Sequence, residues 1–193
     1  GYVKFYHQGV CRTAIPAAKE TSMSNIYIPH IASDTRWRTR LCLLNTTASE
    51  KEPIVSFNNG FMKPVKLAAK EQKTFDIATL FGDRPQTNIQ SAVIPYHPMF
   101  AEGIIALELF SSIDGRQQDG ILLPGQTATS LCFPHVADDG WWTGIAAYNP
   151  STSDASTTIT PYTYIPELSE VRTLSTQSLA IKGRSKSMRT VSR

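Results

Sequence analysis

Two histidines stand in the same short context, which makes them candidates for acid–base chemistry or metal binding. His30 follows Pro29 and His135 follows Pro134, and each is followed within a few residues by aspartate. An imidazole beside a carboxylate can act as a general base or bind a metal ion. We nevertheless favour a structural role at a strand end, because an active site needs its base once, whereas this context occurs twice.

Short catalytic motifs are absent from the sequence: GxSxG, HExxH, GxxxxGK[ST] and GxGxxG do not occur. The three cysteines are far apart, without the close spacing of a zinc site. We therefore predict a protein that is not an enzyme and has neither cofactor nor metal. A hydrolase stays an alternative, because a glycosidase can carry its two carboxylates on unrelated strands.

An aromatic cluster in the second half of the chain is the candidate ligand site. Trp142 directly follows another tryptophan, so the two side chains point to opposite faces of a strand. An exposed Trp142 beside the carboxylates of Asp138 and Asp139 could stack on a sugar ring or anchor a partner protein. Further aromatic surface could come from Tyr162 and Tyr164. The alternatives are a Trp142 covered by a loop and tyrosines that pack at an edge strand.

The context of these residues is repeated. Residues 26–47 read IYIPHIASDTRWRTRLCLLNTT, and residues 131–152 read LCFPHVADDGWWTGIAAYNPST. Because the copies lie in one chain, a shared fold explains the residues that they have in common. We expect the tryptophans to cap the core and the asparagines to form Asx turns where a strand ends. The shared residues are Pro29, His30, Trp37, Thr39 and Asn45 in the first copy and Pro134, His135, Trp141, Thr143 and Asn149 in the second.

Short apolar runs with turn residues between them predict strands along the whole chain. In GIIALELF, for example, Ile105 and Leu107 alternate with Ala106 and Glu108, which predicts that the first pair faces a core. The only helix-like stretch is FDIATLFG. The prediction is an all-β protein with two repeated immunoglobulin-like β-sandwich modules of about 105 residues.

The repeat also predicts the domain boundaries. Residues 26–130 form the first module, and residues 131–193 begin the second. The segment 1–25 resembles the end of the first module, from Gly103 onward. We therefore expect residues 1–25 to complete the second module, since 131–193 alone would leave open sheet edges.

The charge distribution bears on the class of partner. The net charge is +3, and the basic excess is concentrated in residues 182–193, which contain no aromatic residue. Nucleic-acid binding is not expected, because it needs basic residues spread over a face and mixed with aromatics. No apolar run is long enough to span a membrane. Since the sequence begins at Gly1, we expect that any targeting segment was removed before it.

The repeated string, from PH-x-A through W-x-T to N, resembles tandem β-sandwich modules of secreted and surface bacterial proteins, which occur beside adhesion-type domains. The resemblance covers nearly the whole chain through its two copies. It implies a non-catalytic extracytoplasmic protein that acts as a structural, adhesive or protein-interaction module. Its partner would be a protein or a glycan at the cell surface. A carbohydrate-binding module around Trp142 is the second hypothesis.

Overall fold

Antiparallel strands are the main regular structure of the described residues, which in this computed structural model are 2–7, 10–16, 24–123, 125, 127–133, 143–165, 168–173, 176–183 and 185–191. The chain divides into two compact units, Gly1–Cys132 and Phe133–Arg193. The all-β prediction is confirmed. Within the described residues, no helix is long and apolar enough to cross a membrane.

The first unit contains ten described strands and one short 3₁₀ helix at Ile77–Phe81. The strands are β1 (Tyr2–His7), β2 (Val10–Pro16), β3 (Ile26–Ile28), β4 (Trp37–Asn45), β5 (Ile54–Phe57), β6 (Met62–Pro64), β7 (Gln72–Asp76), β8 (Ala92–Ile94), β9 (Ile104–Ser112) and β10 (Gln118–Leu122).

Two four-stranded sheets form a sandwich in this unit, in the orders β10-β9-β4-β7 and β3-β8-β5-β6. Leu41 and Leu43 of β4 belong to the same buried cluster as Val55 of β5 and Ile28 of β3. The alternation in WRTRLCLLN explains this arrangement, because every second side chain of β4 from Thr39 onward is buried. The apolar face of each sheet is thereby removed from water.

Strand β9 buries a face other than the expected one. Ala106 and Glu108 are fully buried, whereas Ile105 and Leu107 are only half-buried. The expectation that Ile105 and Leu107 face the core is therefore wrong. The register explains the result: Leu43 of β4, a core residue, lies opposite Ala106, and residues opposite each other share a face.

For the N-terminal hairpin, formed by β1 and β2, the structure describes the backbone. β1 pairs with β2, and β2 lies alongside β10 within the first unit. The assignment of residues 1–25 to the second module stays a prediction.

The second unit contains six described strands, paired two by two. They are β11 (Thr143–Asn149), β12 (Ala155–Ile159), β13 (Tyr162–Ile165), β14 (Glu170–Thr173), β15 (Gln177–Ile181) and β16 (Ser185–Val191). β11 pairs with β16, β12 with β15, and β13 with β14, all antiparallel. Ile145, Leu179 and Ile181 are the buried apolar residues described in this unit.

A buried asparagine ends the long strand of the first unit. Asn45 is 0% exposed, and its Nδ2 donates to the carbonyls of Ser49 and Ala68, each at 2.8 Å. Its Oδ1 accepts the Thr47 N–H at 3.0 Å and the Thr47 hydroxyl at 2.8 Å. The bond from residue i+2 back to the side chain is an Asx turn, as expected.

Asn149 repeats this arrangement at the end of β11. Its Nδ2 donates to the carbonyls of Ser153 at 2.8 Å and Ile181 at 3.4 Å, and its Oδ1 accepts the Ser151 N–H at 3.0 Å. Both Asx turns predicted from the sequence are confirmed. The same carboxamide therefore ties a strand end to the start of the next segment in both units.

Replacing either asparagine by alanine should destabilise the unit that contains it. Asn45→Ala leaves buried backbone groups without a partner, and we expect a loss of about 2–4 kcal/mol in the free energy of unfolding. Asn149→Ala should act in the same direction with a smaller loss, since its bond to Ile181 is longer. Urea denaturation measures both. The exposed Asn88→Ala is the control, and an equal loss in that variant would contradict the account.

Candidate functional site

The first copy of the repeated motif forms a corner of the sandwich, held by a threonine hydroxyl. Thr39 is 1% exposed, and its Oγ1 donates to the Ala32 carbonyl at 3.0 Å and accepts the Ala32 N–H at 2.9 Å. Both backbone groups of Ala32 are thus satisfied by one side chain. This pairing fixes the segment after Pro29-His30 against β4, and it gives the threonine of W-x-T a structural role.

Asp34 forms the turn that leads into β4. Its Oδ1 accepts the N–H groups of Arg36 at 2.7 Å and Trp37 at 2.8 Å. These bonds lower the pKa of the Asp34 carboxyl below its usual 3.8, first through the Arg36 N–H and then through the Trp37 N–H. The carboxylate that sequence analysis considered as a partner of His30 is therefore used by the backbone.

His30 contacts an aromatic ring of β9. Its imidazole lies 5.1 Å from the Phe110 ring, centroid to centroid, and the residue is half-buried. The structural role that sequence analysis favoured for His30 stays a prediction. Among the described residues, no group of three His, Cys, Asp or Glu side chains is placed to hold a metal ion.

A small cavity of about 200 Å³ lies at the same corner. Trp37 and Arg38 line it together with the carboxylates of Asp34, Asp76 and Asp83. Trp37 is half-buried and is not part of the apolar cluster, so the expectation that it caps the core is wrong for this copy. The reason is its position at the first residue of β4, where the sheet ends and the wall of the cavity begins.

The cavity is more acidic than basic. Arg38 Nη1 lies 4.0 Å from Asp76 Oδ2, which is a loose ion pair between partly exposed side chains. An indole wall with several carboxylates suits a small polyhydroxylated ligand, since the ring offers an apolar face and the carboxylates accept hydroxyl hydrogens. One sugar ring is the largest ligand that this volume suggests.

The candidate ligand site of the second copy lies outside the described residues. This applies to Asp138, Asp139 and Trp142, and also to the motif residues Pro134, His135 and Trp141. Thr143 begins β11, and its strand partner is Val191 of β16. In the first copy, the residue that corresponds to Trp142 is Arg38, which lines the cavity.

The two tyrosines proposed for ligand binding lie on one hairpin, formed by β13 and β14. Tyr162 lies opposite Thr173, and Tyr164 lies opposite Val171. Tyr162 is 65% exposed and Val171 is 63% exposed, with Leu168 at the tip 57% exposed. Sequence analysis did not foresee this hairpin, although the alternation in PYTYIP and EVRT was a signal for two short strands.

The Asp34 carboxylate in this turn should make the protein less stable as the pH falls. A carboxyl whose folded pKa is lowered stabilises the protein above its unfolded pKa, and this contribution is lost as pH falls through the folded value. Asp34→Asn should therefore be less stable than the parent at neutral pH and should approach it below pH 3.8. Urea unfolding over a pH series measures the difference. Glu52→Gln, an exposed carboxylate of the same unit, is the control, and an identical profile in both variants would refute the role of Asp34.

Comparison with known proteins gave no match from which a function could be inferred. No protein-family model matches the chain, and no curated protein matches its sequence. The function must therefore be argued from the corner, the cavity and the hairpin.

Proposed function

We propose that the chain consists of two related immunoglobulin-like β-sandwich modules and acts, without catalysis, as a structural, adhesive or protein-interaction module outside the cytoplasm. The location rests on the resemblance of the repeated motif to modules of secreted and surface bacterial proteins. The relation between the two modules rests on their strand registers. The choice of the interaction surface rests on side-chain exposure.

The first support is the match of strand registers beside the two buried asparagines. In the first unit, Leu44 of β4 lies opposite Gln72 of β7. In the second, Tyr148 of β11 lies opposite Lys186 of β16. Each of Leu44 and Tyr148 directly precedes its asparagine, so the same position of the motif meets the same position of its neighbouring strand.

A second register extends the match to the next pair of strands. Val55 of β5 lies opposite Lys63 of β6, and Ile159 of β12 lies opposite Gln177 of β15. Val55 follows Asn45 at the same interval at which Ile159 follows Asn149. Shared registers at two separate pairs are what a common scaffold produces.

The observation that carries the proposal is the difference between the two units in the connection that joins those matched strands. In the first unit a tight turn at Asn58–Gly60 joins β5 to β6, with Gly60 at φ 88°. In the second unit the equivalent connection contains the exposed hairpin of β13 and β14. A longer connection on the same arrangement of strands is typical of binding proteins, whose contacts lie on loops held by a rigid frame.

The hairpin surface also has the composition of a contact site. Tyr162, Leu168 and Val171 are all more than half exposed. Exposed apolar and aromatic side chains on one element are typical of interaction surfaces, in which tyrosine is enriched. The hairpin is therefore the part of the second unit that we assign to partner binding.

Shortening the hairpin should remove binding and keep the fold. The variant replaces residues 160–176 with residues 56–62, the turn that joins the equivalent strands of the first unit. We expect circular dichroism and the melting temperature to stay close to those of the parent. Attachment of beads coated with the variant to immobilised collagen, fibronectin, cellulose, chitin and peptidoglycan should fall at least about tenfold on every surface that the parent binds.

The matched control removes exposed apolar side chains from the first unit. Phe61→Ala/Met62→Ala lies at the corresponding turn, where both residues are exposed, and it should leave attachment unchanged. Equal attachment by the parent and the shortened variant would contradict the assignment of binding to the hairpin.

Carbohydrate binding is the second candidate, and the cavity beside Trp37 favours it. The cavity combines an indole wall with the carboxylates of Asp34, Asp76 and Asp83. Titration with a polysaccharide panel, followed by tryptophan fluorescence, should give a saturable change if a sugar binds there. Trp37→Ala should abolish it if the first copy is the site, and Trp142→Ala should abolish it if the second is. Saturation that survives in both variants would exclude both positions.

A further inference from the structure

Strand β14 of the hairpin has an edge to which no described strand is paired. β14 pairs with β13 on one side, and within the described part of the chain no strand pairs with its other side. All four residues of β14, Glu170 to Thr173, are exposed. An edge strand of this kind presents backbone N–H and C=O groups that can pair with another strand.

The sequence of this edge is complementary to itself. Glu170 and Arg172 flank Val171, and an antiparallel partner placed symmetrically about Val171 would set each glutamate opposite an arginine. In the isolated hairpin the two charges are paired with each other, with Arg172 Nε 3.6 Å from Glu170 Oε1. Pairing with a copy therefore exchanges two exposed ion pairs, one within each strand, for two ion pairs across the strands, so the two charges of each chain keep a partner of opposite sign.

The apolar side chains favour the same arrangement. Val171 is 63% exposed and lies on the hairpin face opposite that of Glu170 and Arg172, because successive residues of a strand alternate. At the symmetry axis, Val171 would meet the Val171 of the second copy. Tyr162, whose partner in register is Thr173, lies on the same face as Val171 and would extend the apolar contact.

We propose that β14 pairs antiparallel with β14 of a second copy of this chain, with Glu170 opposite Arg172 on both sides of a two-fold axis. This inference rests on the proposed function, since it names the partner of the hairpin surface. A strand of four residues forms a small interface, so the pair is weak in solution. When many copies are held on a surface, multivalency strengthens such contacts, as adhesion requires.

Substitutions that reverse the charge of Glu170 or of Arg172 test the pairing and its register. Glu170→Arg and Arg172→Glu each set like charges opposite one another twice in a homodimer. Each should weaken self-association at least about tenfold, measured as the dimer dissociation constant by analytical ultracentrifugation. An equimolar mixture of the two variants restores both opposite-charge pairs and should dimerise like the parent. The double variant Glu170→Arg/Arg172→Glu should also recover.

The control reverses single charges in an exposed ion pair of the first unit. Lys66 Nζ lies 3.1 Å from Glu50 Oε1, and both side chains are more than half exposed. Lys66→Glu and Glu50→Lys should leave the dissociation constant unchanged. Circular dichroism of every variant verifies that its fold is kept.

Three results would overturn the proposal: a parent chain that stays monomeric up to millimolar concentration, single variants that associate as the parent does, or folded variants whose mixture does not recover. These results are separate from the hairpin-shortening test. A chain without self-association whose hairpin still carries attachment to the immobilised panel would retain the proposed function and lose only the second copy as partner.

Discussion

The architecture depends on a buried carboxamide at the end of a long strand. Asn45 satisfies backbone groups in the segment that follows β4, and it also reaches Ala68, which precedes β7. A carboxamide has both donors and acceptors, so one side chain can satisfy several main-chain groups that the end of a strand leaves without ladder partners. Replacing it with an apolar group would bury those groups without hydrogen bonds, which costs more than the bonds themselves contribute.

The same constraint would let two units built on the proposed common scaffold differ at the surface. Asn149 makes equivalent bonds to Ser151, Ser153 and Ile181, although the strand that precedes it is TGIAAYN rather than WRTRLCLLN. Once the strand end and its neighbour are fixed, the connection between the following strands is free to lengthen. Loop length costs little free energy, because the entropy of closure grows only slowly with the number of residues.

Sequence reasoning succeeded where a local pattern determines the structure. The Asx turns at Asn45 and Asn149 follow from an asparagine before a turn residue, and β4 follows from its alternation. It failed where packing between strands decides. The buried face of β9 is set by its register with β4, which brings Ala106 opposite Leu43, and apolar alternation alone pointed to the wrong face. Trp37 was misplaced because a large aromatic suits either a core or the wall of a cavity.

The most direct test of the proposed common scaffold is the exchange of the two asparagine side-chain amides with solvent. In an NMR spectrum of the ¹⁵N-labelled chain, the carboxamide protons of Asn45 and Asn149 should both exchange far more slowly than those of the exposed Asn88. In a sample labelled with both ¹³C and ¹⁵N, couplings across the hydrogen bonds should link Asn45 Nδ2 to the carbonyls of Ser49 and Ala68, and Asn149 Nδ2 to that of Ser153. Slow exchange at Asn45 together with fast exchange at Asn149 would contradict a common scaffold.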